Sequence, residues 1–373
     1  MTKKTDNKPR FYDNRKQYLL FVTTCSEKWA IAERVGLELA HITPSPPAMR
    51  MFDVGMGDAT VITRVMREFH ARHPTIPLLV VAKEISMEDV RLGLEKMADR
   101  FYEHPNTVLV ITNLKYREAP GLKPRNKPLK RWEIALKGQT AHDFDTQIRA
   151  LQPIIKEGWE TYPSPKTGNP LYVNPSALVI YRADSKFVLD PIIPPDTGIP
   201  PDYDLIICAQ PYRAKTPASQ KVKQVLAPMA RSIAPGGRMI VIQSTGYDPG
   251  MEIIRKIWPQ ENPFQTPRHD LIETLKTELA TELPNLTYSG YTDKNALFKY
   301  NLHALPDEFG SNIGTSTLLA AWNAASYVAQ IDEARLDQAV NENTYLDATR
   351  KVLQHHGGLW FMNESFILCR GTN

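Results

Sequence analysis

From Met51 to Ala59 the chain reads Met-Phe-Asp-Val-Gly-Met-Gly-Asp-Ala, two glycines framed by two aspartates. Gly55 and Gly57 carry no Cβ, so a ligand can approach the main chain at both, and a helix starting just beyond them offers unpaired N–H groups. Such a turn suits a nucleotide-like ligand, and its charge indicates which kind. A pyrophosphate site wants G-x-G-x-x-G; here Thr60 stands at the third glycine position and Asp58 lies where the diphosphate would come. Asp53 and Asp58 suit a cation better. Downstream, Glu84 adds a carboxylate, Asn113 an amide, and Gln210-Pro211-Tyr212 a polar and aromatic cluster. His355-His356 could move a proton, or could close a helix whose dipole favours them. No G-x-S-x-G elbow, P-loop, H-E-x-x-H or C-x-x-C occurs, so the common nucleophile and metal motifs are absent.

These residues need elements to hold them. Arg50 to Val54 predicts a short buried strand, and Val61, Ile62, Val65, Met66 and Phe69 recur at the spacing of one helical face over 60–72. The glycines therefore lie on a strand-to-helix turn. A second strand over 77–82 ends at Lys83-Glu84, where a carboxylate can hold the ribose hydroxyls of an adenosine cofactor. A helix over 87–101 and a third strand over 106–112 follow, the latter ending at Asn113. Strands alternating with helices predict a parallel, doubly wound sheet.

Regularity breaks between Lys115 and Tyr203. The first part of this insertion, 115–137, carries eight lysines and arginines against Glu118 and Glu133. Its later part, 177–188, predicts a β-hairpin turning at Asp184-Ser185. The sheet resumes with a strand over 203–209, a helix over 218–233, the turn Ala234-Pro-Gly-Gly237 and a strand over 238–244. Beyond these, 297–302 and 359–369 read as strands, the second folding on itself at Asn363-Glu364, and 315–354 as mostly helical.

Asp53-x-Gly55-x-Gly57-x-Ala59 resembles the first motif of the class I S-adenosylmethionine-dependent methyltransferases, an acidic residue followed by G-x-G-x-G, with Ala59 for the last glycine. The resemblance covers 51–115 and 203–245 and, more loosely, the C-terminal strands. It implies a Rossmann-like α/β fold with a seven-stranded, mostly parallel sheet. It also implies S-adenosylmethionine as cofactor, its methionine part held by Asp53, Gly55, Gly57 and Asp58, its ribose by Glu84 and its adenine by Asn113. Gln210 and Tyr212 then fall at the reaction centre, Gln210 also as a cofactor-binding residue, where Gln210-Pro211-Tyr212 has one proline fewer than the family's usual signature. The N-terminal helical segment implies a cap, from which Tyr12, Tyr18 and Phe21 can cover the cofactor; Tyr18 and His356 join Gln210 and Tyr212 as candidate catalytic residues.

Composition bounds the rest. The chain has 373 residues, a net charge of +4 and 42% hydrophobic residues, ordinary for a soluble protein, with no apolar run long enough to span a bilayer. Its three cysteines, Cys25, Cys208 and Cys369, are far apart and read as thiols of a reducing compartment with no structural zinc. The expected organisation is a tail at 1–10, a helical cap at 11–47 and a methyltransferase domain at 48–373 with an insertion at 116–202. A cytoplasmic location, a small-molecule acceptor, no nucleic acid or membrane partner and compatibility with a homodimer complete the reading. The alternatives are an RNA methyltransferase using the basic segment 115–137 and a catalytically silent cofactor-binding or scaffold protein; a nicotinamide oxidoreductase fits the loop least.

Overall fold

The structure, a computed structural model, describes residues 15–165, 170–304, 313–342 and 344–372. The expected tail at 1–10 and Tyr12 lie outside them. Twelve strands are present among the described residues: β1 (Met49–Asp53), β2 (Leu78–Lys83), β3 (Thr107–Thr112), β4 (Lys130–Leu136), β5 (Thr161–Pro163), β6 (Pro170–Tyr172), β7 (Ser176–Arg182), β8 (Tyr203–Ala209), β9 (Ile233–Ser244), β10 (Leu286–Ser289), β11 (Leu297–Asn301) and β12 (Trp360–Arg370). Ten form one sheet in the order β10-β12-β9-β8-β1-β2-β3-β7-β4, with β11 also on the outer edge of β12; β5 and β6 form a separate pair.

The centre of the sheet follows from composition. β2 and β3, Leu-Leu-Val-Val-Ala-Lys and Thr-Val-Leu-Val-Ile-Thr, are buried at every residue, as strands covered by helices on both faces must be. β3, β2, β1, β8 and β9 are all parallel, and β12 runs antiparallel to β9. This is a Rossmann-like doubly wound sheet. One face packs Met51, Val80, Leu109 and Ile207 against helices Glu27–Leu39 and Thr60–Arg72, and the other packs Phe52, Val81, Val110 and Cys208 against the helical stretches 218–230 and 268–279. A third core, around Phe21, Ile254, Tyr300, Trp322 and Phe361, joins helix Arg15–Thr24 to helices Pro249–Ile257, Thr315–Val328 and Tyr345–His356.

Five expectations change. The sheet has ten strands, because the insertion adds β7 antiparallel to β3 and β4 parallel to β7. The hairpin over 177–188 does not form: β3 and β4 satisfy both edges of β7, and Asp184 and Ser185 turn instead into the short helix Lys186–Leu189. The helix expected at 87–101 divides into Met87–Glu95 and Ala98–Glu103. The strand at 359–369 is unbroken, with Asn363 and Glu364 buried opposite Ser244 and Gln243. The helix at 218–233 is interrupted by π-helical backbone at Val222–Leu226. The helical reading of 315–354 holds, in three helices.

Candidate functional site

From β1 the chain winds outward through β2 and β3, then returns to the other side of β1 as β8 and continues to β9. The carboxyl ends of β1 and β8 therefore border the switch-point crevice, the place where open α/β sheets bind ligands. Asp53 ends β1, and the glycine turn begins there. Its Oδ1 accepts the Gly55 N–H at 3.1 Å, and among the described residues no donor reaches its other oxygen. Burial pushes the Asp53 carboxyl up to about 7, with Gly55 N–H and Lys28 pulling it back and Glu84 adding repulsion. A Cβ built on Gly55 would meet nothing within 4 Å, so the main chain there faces open space. Gly57 and Ala59 both adopt positive φ, 54° and 62°. The second is a glycine-like conformation imposed on alanine at the position where the motif has its last glycine.

Glu84 fixes this turn from β2. Its Oε2 accepts the Gly57 N–H at 2.7 Å, and its Oε1 accepts the N–H groups of Ile85 at 2.6 Å and Ser86 at 2.8 Å. Three backbone donors hold the carboxylate in one orientation at the crevice. Asp58 is engaged differently. Its oxygens accept from Thr60 N–H, Thr60 Oγ1 and Lys96 Nζ, the last at 2.6 Å, so it starts the helix and pairs with a lysine. Burial works to raise its pKa, but Lys28, Lys96 and Thr60 outweigh it and hold the carboxyl below its usual value. The expected ligand contact of Asp58 is thus replaced by an internal ion pair. Asn113 is likewise committed: its Nδ2 donates to Gly158 O at 2.8 Å and Asn174 O at 3.0 Å, and its Oδ1 accepts Ser176 N–H at 2.8 Å. The amide, with both N–H groups spent in this way, clamps the insertion to β3 and leaves one lone pair of Oδ1 unused. Beside it, Trp159 Nε1 donates to Glu84 O at 2.8 Å, which brings the insertion to the end of β2.

The cap closes over the turn. A Cβ on Gly57 would lie 2.8 Å from Tyr18 Oη and 3.4 Å from Lys28 Nζ, so glycine is what lets these two side chains come down on the backbone. Tyr18 Oη is buried with no hydrogen-bond partner, and burial pushes the phenol up to about 12, with Lys28 opposing. Burial works against the Lys28 charge, but Tyr18, Asp58 and Glu27 outweigh it and hold its pKa above the usual lysine value. Glu27, first residue of helix Glu27–Leu39, accepts from Gln210 Nε2 at 2.6 Å and so ties the cap to the end of β8. Its carboxyl is raised by burial, with Lys28, Asn363 and Tyr300 pulling it back. Glu27, Lys28 and Trp159 were not among the residues expected from the sequence. They belong to a cap helix and a loop, far along the chain from the turn, and no local pattern marks them.

On the acceptor side, Gln210 has φ +50° and Tyr212 Oη donates to Gln243 Oε1 at 3.2 Å. Both line a narrow pocket with Lys221, Gln243, Thr266 and Gln330. Gln330, just beyond helix Thr315–Val328, accepts the Ala214 N–H at 3.1 Å and closes one side. His356 is elsewhere: Nε2 lies 2.7 Å from Glu252 Oε2 on an exposed helix end, and its ring meets Trp360 edge-on. It takes no part in this cluster, because the Gly357 C-cap ends its helix against Glu252 and not over the turn.

Part of the basic segment is engaged with the protein itself. Lys130 pairs with Glu157, Arg131 with Glu133 at 2.6 Å, and Lys127 Nζ donates to Val173 O at 2.9 Å. No helix among the described residues is long and apolar enough to cross a membrane. The three cysteines are free thiols.

No protein-family model and no curated protein matches the chain. Solved structures do resemble it. The 4+2 cyclase SpnF is 10% identical over 93% of this chain and 81% of its own, with a TM-score of 0.36. A geranyl diphosphate methyltransferase solved with S-adenosylmethionine is 10% identical over 91% of this chain and 84% of its own, TM-score 0.33. YjhP from E. coli is 9% identical over 95% of this chain and 98% of its own, TM-score 0.36. The strand order and the crevice residues define the class here: a doubly wound α/β protein with an acidic, glycine-lined site under a helical cap.

Proposed function

We propose that the protein is an S-adenosylmethionine-dependent methyltransferase acting on a small-molecule acceptor. The observation that carries this is the cradle at the switch point: open main chain at Gly55, an unspent Asp53 oxygen beside it, and an oriented Glu84 at the end of β2. With Asp58 paired to Lys96 and Lys28 lying over Gly57, the carboxylates left at the open main chain are Asp53 and Glu84, which suit the ammonium and ribose hydroxyls of this cofactor. When bound, the cofactor supplies an electrophilic methyl group on sulfur. Asp53 and the Gly55-Gly57 backbone would hold its methionine part, Glu84 its ribose, and Tyr18 the remaining side of the enclosure. Displacement at a methyl carbon requires alignment above all, so Gln210 and Tyr212 act by positioning the acceptor and the cap by excluding water.

The internal pairing of Lys127, Lys130 and Arg131 favours a small molecule over RNA. The test is a calorimetric titration of the full chain with S-adenosylhomocysteine and with NADH. S-adenosylhomocysteine is expected to bind and NADH not to. Asp53→Ala is expected to weaken the former at least tenfold, about 1.4 kcal/mol. Binding of NADH, or equal affinity in the variant, would overturn the assignment; binding without methylation of any acceptor in a metabolite pool would leave a silent cofactor-binding protein.

A further inference from the structure

Two lysines at the carboxyl end of the sheet are buried without a counter-ion. Lys221 is 2% exposed and Lys83 is 6% exposed, and among the described residues neither makes an ion pair or hydrogen bond. Each instead lies over a tyrosine ring, Lys221 Nζ 4.8 Å from the centre of Tyr212 and Lys83 Nζ 4.8 Å from the centre of Tyr116. The two tyrosines flank one loop: Tyr116 Oη donates to Pro211 O at 2.7 Å, and Tyr212 is the next residue. Both also stand beside Cys208 of β8, whose thiol raises each phenol further after burial has done so.

The nearest acid cannot neutralise Lys221. Glu364 Oε1 accepts Gln243 Nε2 at 2.8 Å and Arg268 N–H at 2.9 Å, and its Oε2 is paired with Arg268 at 3.0 Å. Burial accordingly pushes the Lys221 and Lys83 ammonium groups down to about 8, with only Glu364 and Glu84 respectively opposing it. A ring face compensates a buried ammonium only in part, and a desolvated cation ordinarily requires an anion. Lys221 lines the pocket that also contains Gln210, Tyr212 and Gln330, and Gln210 is the residue that reaches the cap over the cofactor crevice.

We propose that the acceptor is a small molecule bearing a carboxylate or phosphate group, received by Lys221 in the pocket beside Gln210 and Tyr212. This rests on the methyltransferase reading, since it names the substrate class of that site. The anion neutralises the Lys221 ammonium group, and the Tyr212 ring stacked on it holds the lysine stem in place. The rest of the acceptor then points toward Gln210 and the crevice.

The experiment titrates inorganic phosphate and, separately, malonate into the full-length protein saturated with S-adenosylhomocysteine, using wild type, Lys221→Met, Lys83→Met and Lys221→Arg. One probe is expected to bind saturably to wild type, and the tighter one identifies the anion as phosphate or carboxylate. Lys221→Met is expected to weaken it at least tenfold while Lys83→Met, outside the pocket, leaves it near wild type, with Lys221→Arg retaining most of the affinity and S-adenosylhomocysteine binding unchanged throughout. Circular dichroism matching wild type establishes that each variant is folded, and removing a buried charge is not expected to unfold the chain. Absence of saturable binding of either probe, or an affinity in Lys221→Met equal to that of wild type, overturns the proposal while cofactor binding stands. Anion binding in a protein that does not bind S-adenosylhomocysteine overturns the assignment of the anion as a methyl acceptor, and the methyltransferase reading with it.

Discussion

Asp53 is held in a condition that folding alone would not select. Its carboxyl titrates at about 7 in the native protein against an ordinary 3.8, and burial is the main cause. Between these values the unfolded chain is ionised there while the folded chain keeps the proton. The contribution to stability is therefore complete below about pH 4 and lost as pH rises toward 7. Asp53→Asn keeps the acceptor for Gly55 N–H and removes the charge. Its unfolding midpoint is expected to exceed that of wild type by about 2 °C or more at pH 8, the equivalent of about 1 kcal/mol, and to converge with it below about pH 4; differential scanning calorimetry at the two pH values checks this. The same variant should lose cofactor binding, the trade between stability and function expected of an active-site charge. Asp53 and its glycines were legible in the sequence because turn, charge and helix start lie within nine consecutive residues. Lys28 was not, because its part depends on a helix laid across the turn from elsewhere in the chain.

Among the elements, the insertion between β3 and β8 is part of the sheet and not an appendage, and Asn113 is its fastening. The amide satisfies Gly158 O, Asn174 O and Ser176 N–H, all at or near buried positions. Asn113→Ala leaves these groups unpaired and is expected to cost about 1–3 kcal/mol. Limited proteolysis should then cut faster between β4 and β7 than in wild type, and chemical denaturation should show the loss; an unchanged cleavage pattern would mean that β-pairing alone holds the insertion. The central parallel strands were legible because runs such as Leu78 to Ala82 are apolar throughout and bounded by helix patterns. The edge strands were not. In β4, Lys-Arg-Trp-Glu-Ile-Ala-Leu is half polar and reads as a basic loop, because only the next strand in space makes it a strand. The end of β3 was located correctly, yet Asn113 serves the insertion because its partners lie 45 to 63 residues further on.

At the scale of the molecule, the third core links both halves of the site. Phe21 of the cap packs against Tyr300 and Tyr327, and Asn323 Nδ2 donates to Gln17 O at 3.1 Å, so helix Arg15–Thr24 rests on helix Thr315–Val328. From the end of that same helix Gln330 reaches Ala214 beside the acceptor pocket. One helix thus braces the residue above the glycine turn, Tyr18, and the wall of the lysine pocket. The sequence showed the apolar stripe of 315–354 but not what it would cover, since a stripe records that a face is buried and not against which partner. Tyr18 and Lys28 close over Gly57, so a cofactor occupying the crevice gains or displaces contacts with the cap. Hydrogen exchange in helix Arg15–Thr24 is therefore expected to slow when S-adenosylhomocysteine is bound, and that in β2 and β3 to stay unchanged because those strands are already fully buried. A cap exchanging at the same rate with and without ligand would mean that it is a fixed wall. The coupling of the two half-sites through helix Thr315–Val328 would then have no moving part. With the cap slowed, the segment 213–216 below Gln330 should slow as well, because the two regions share one support.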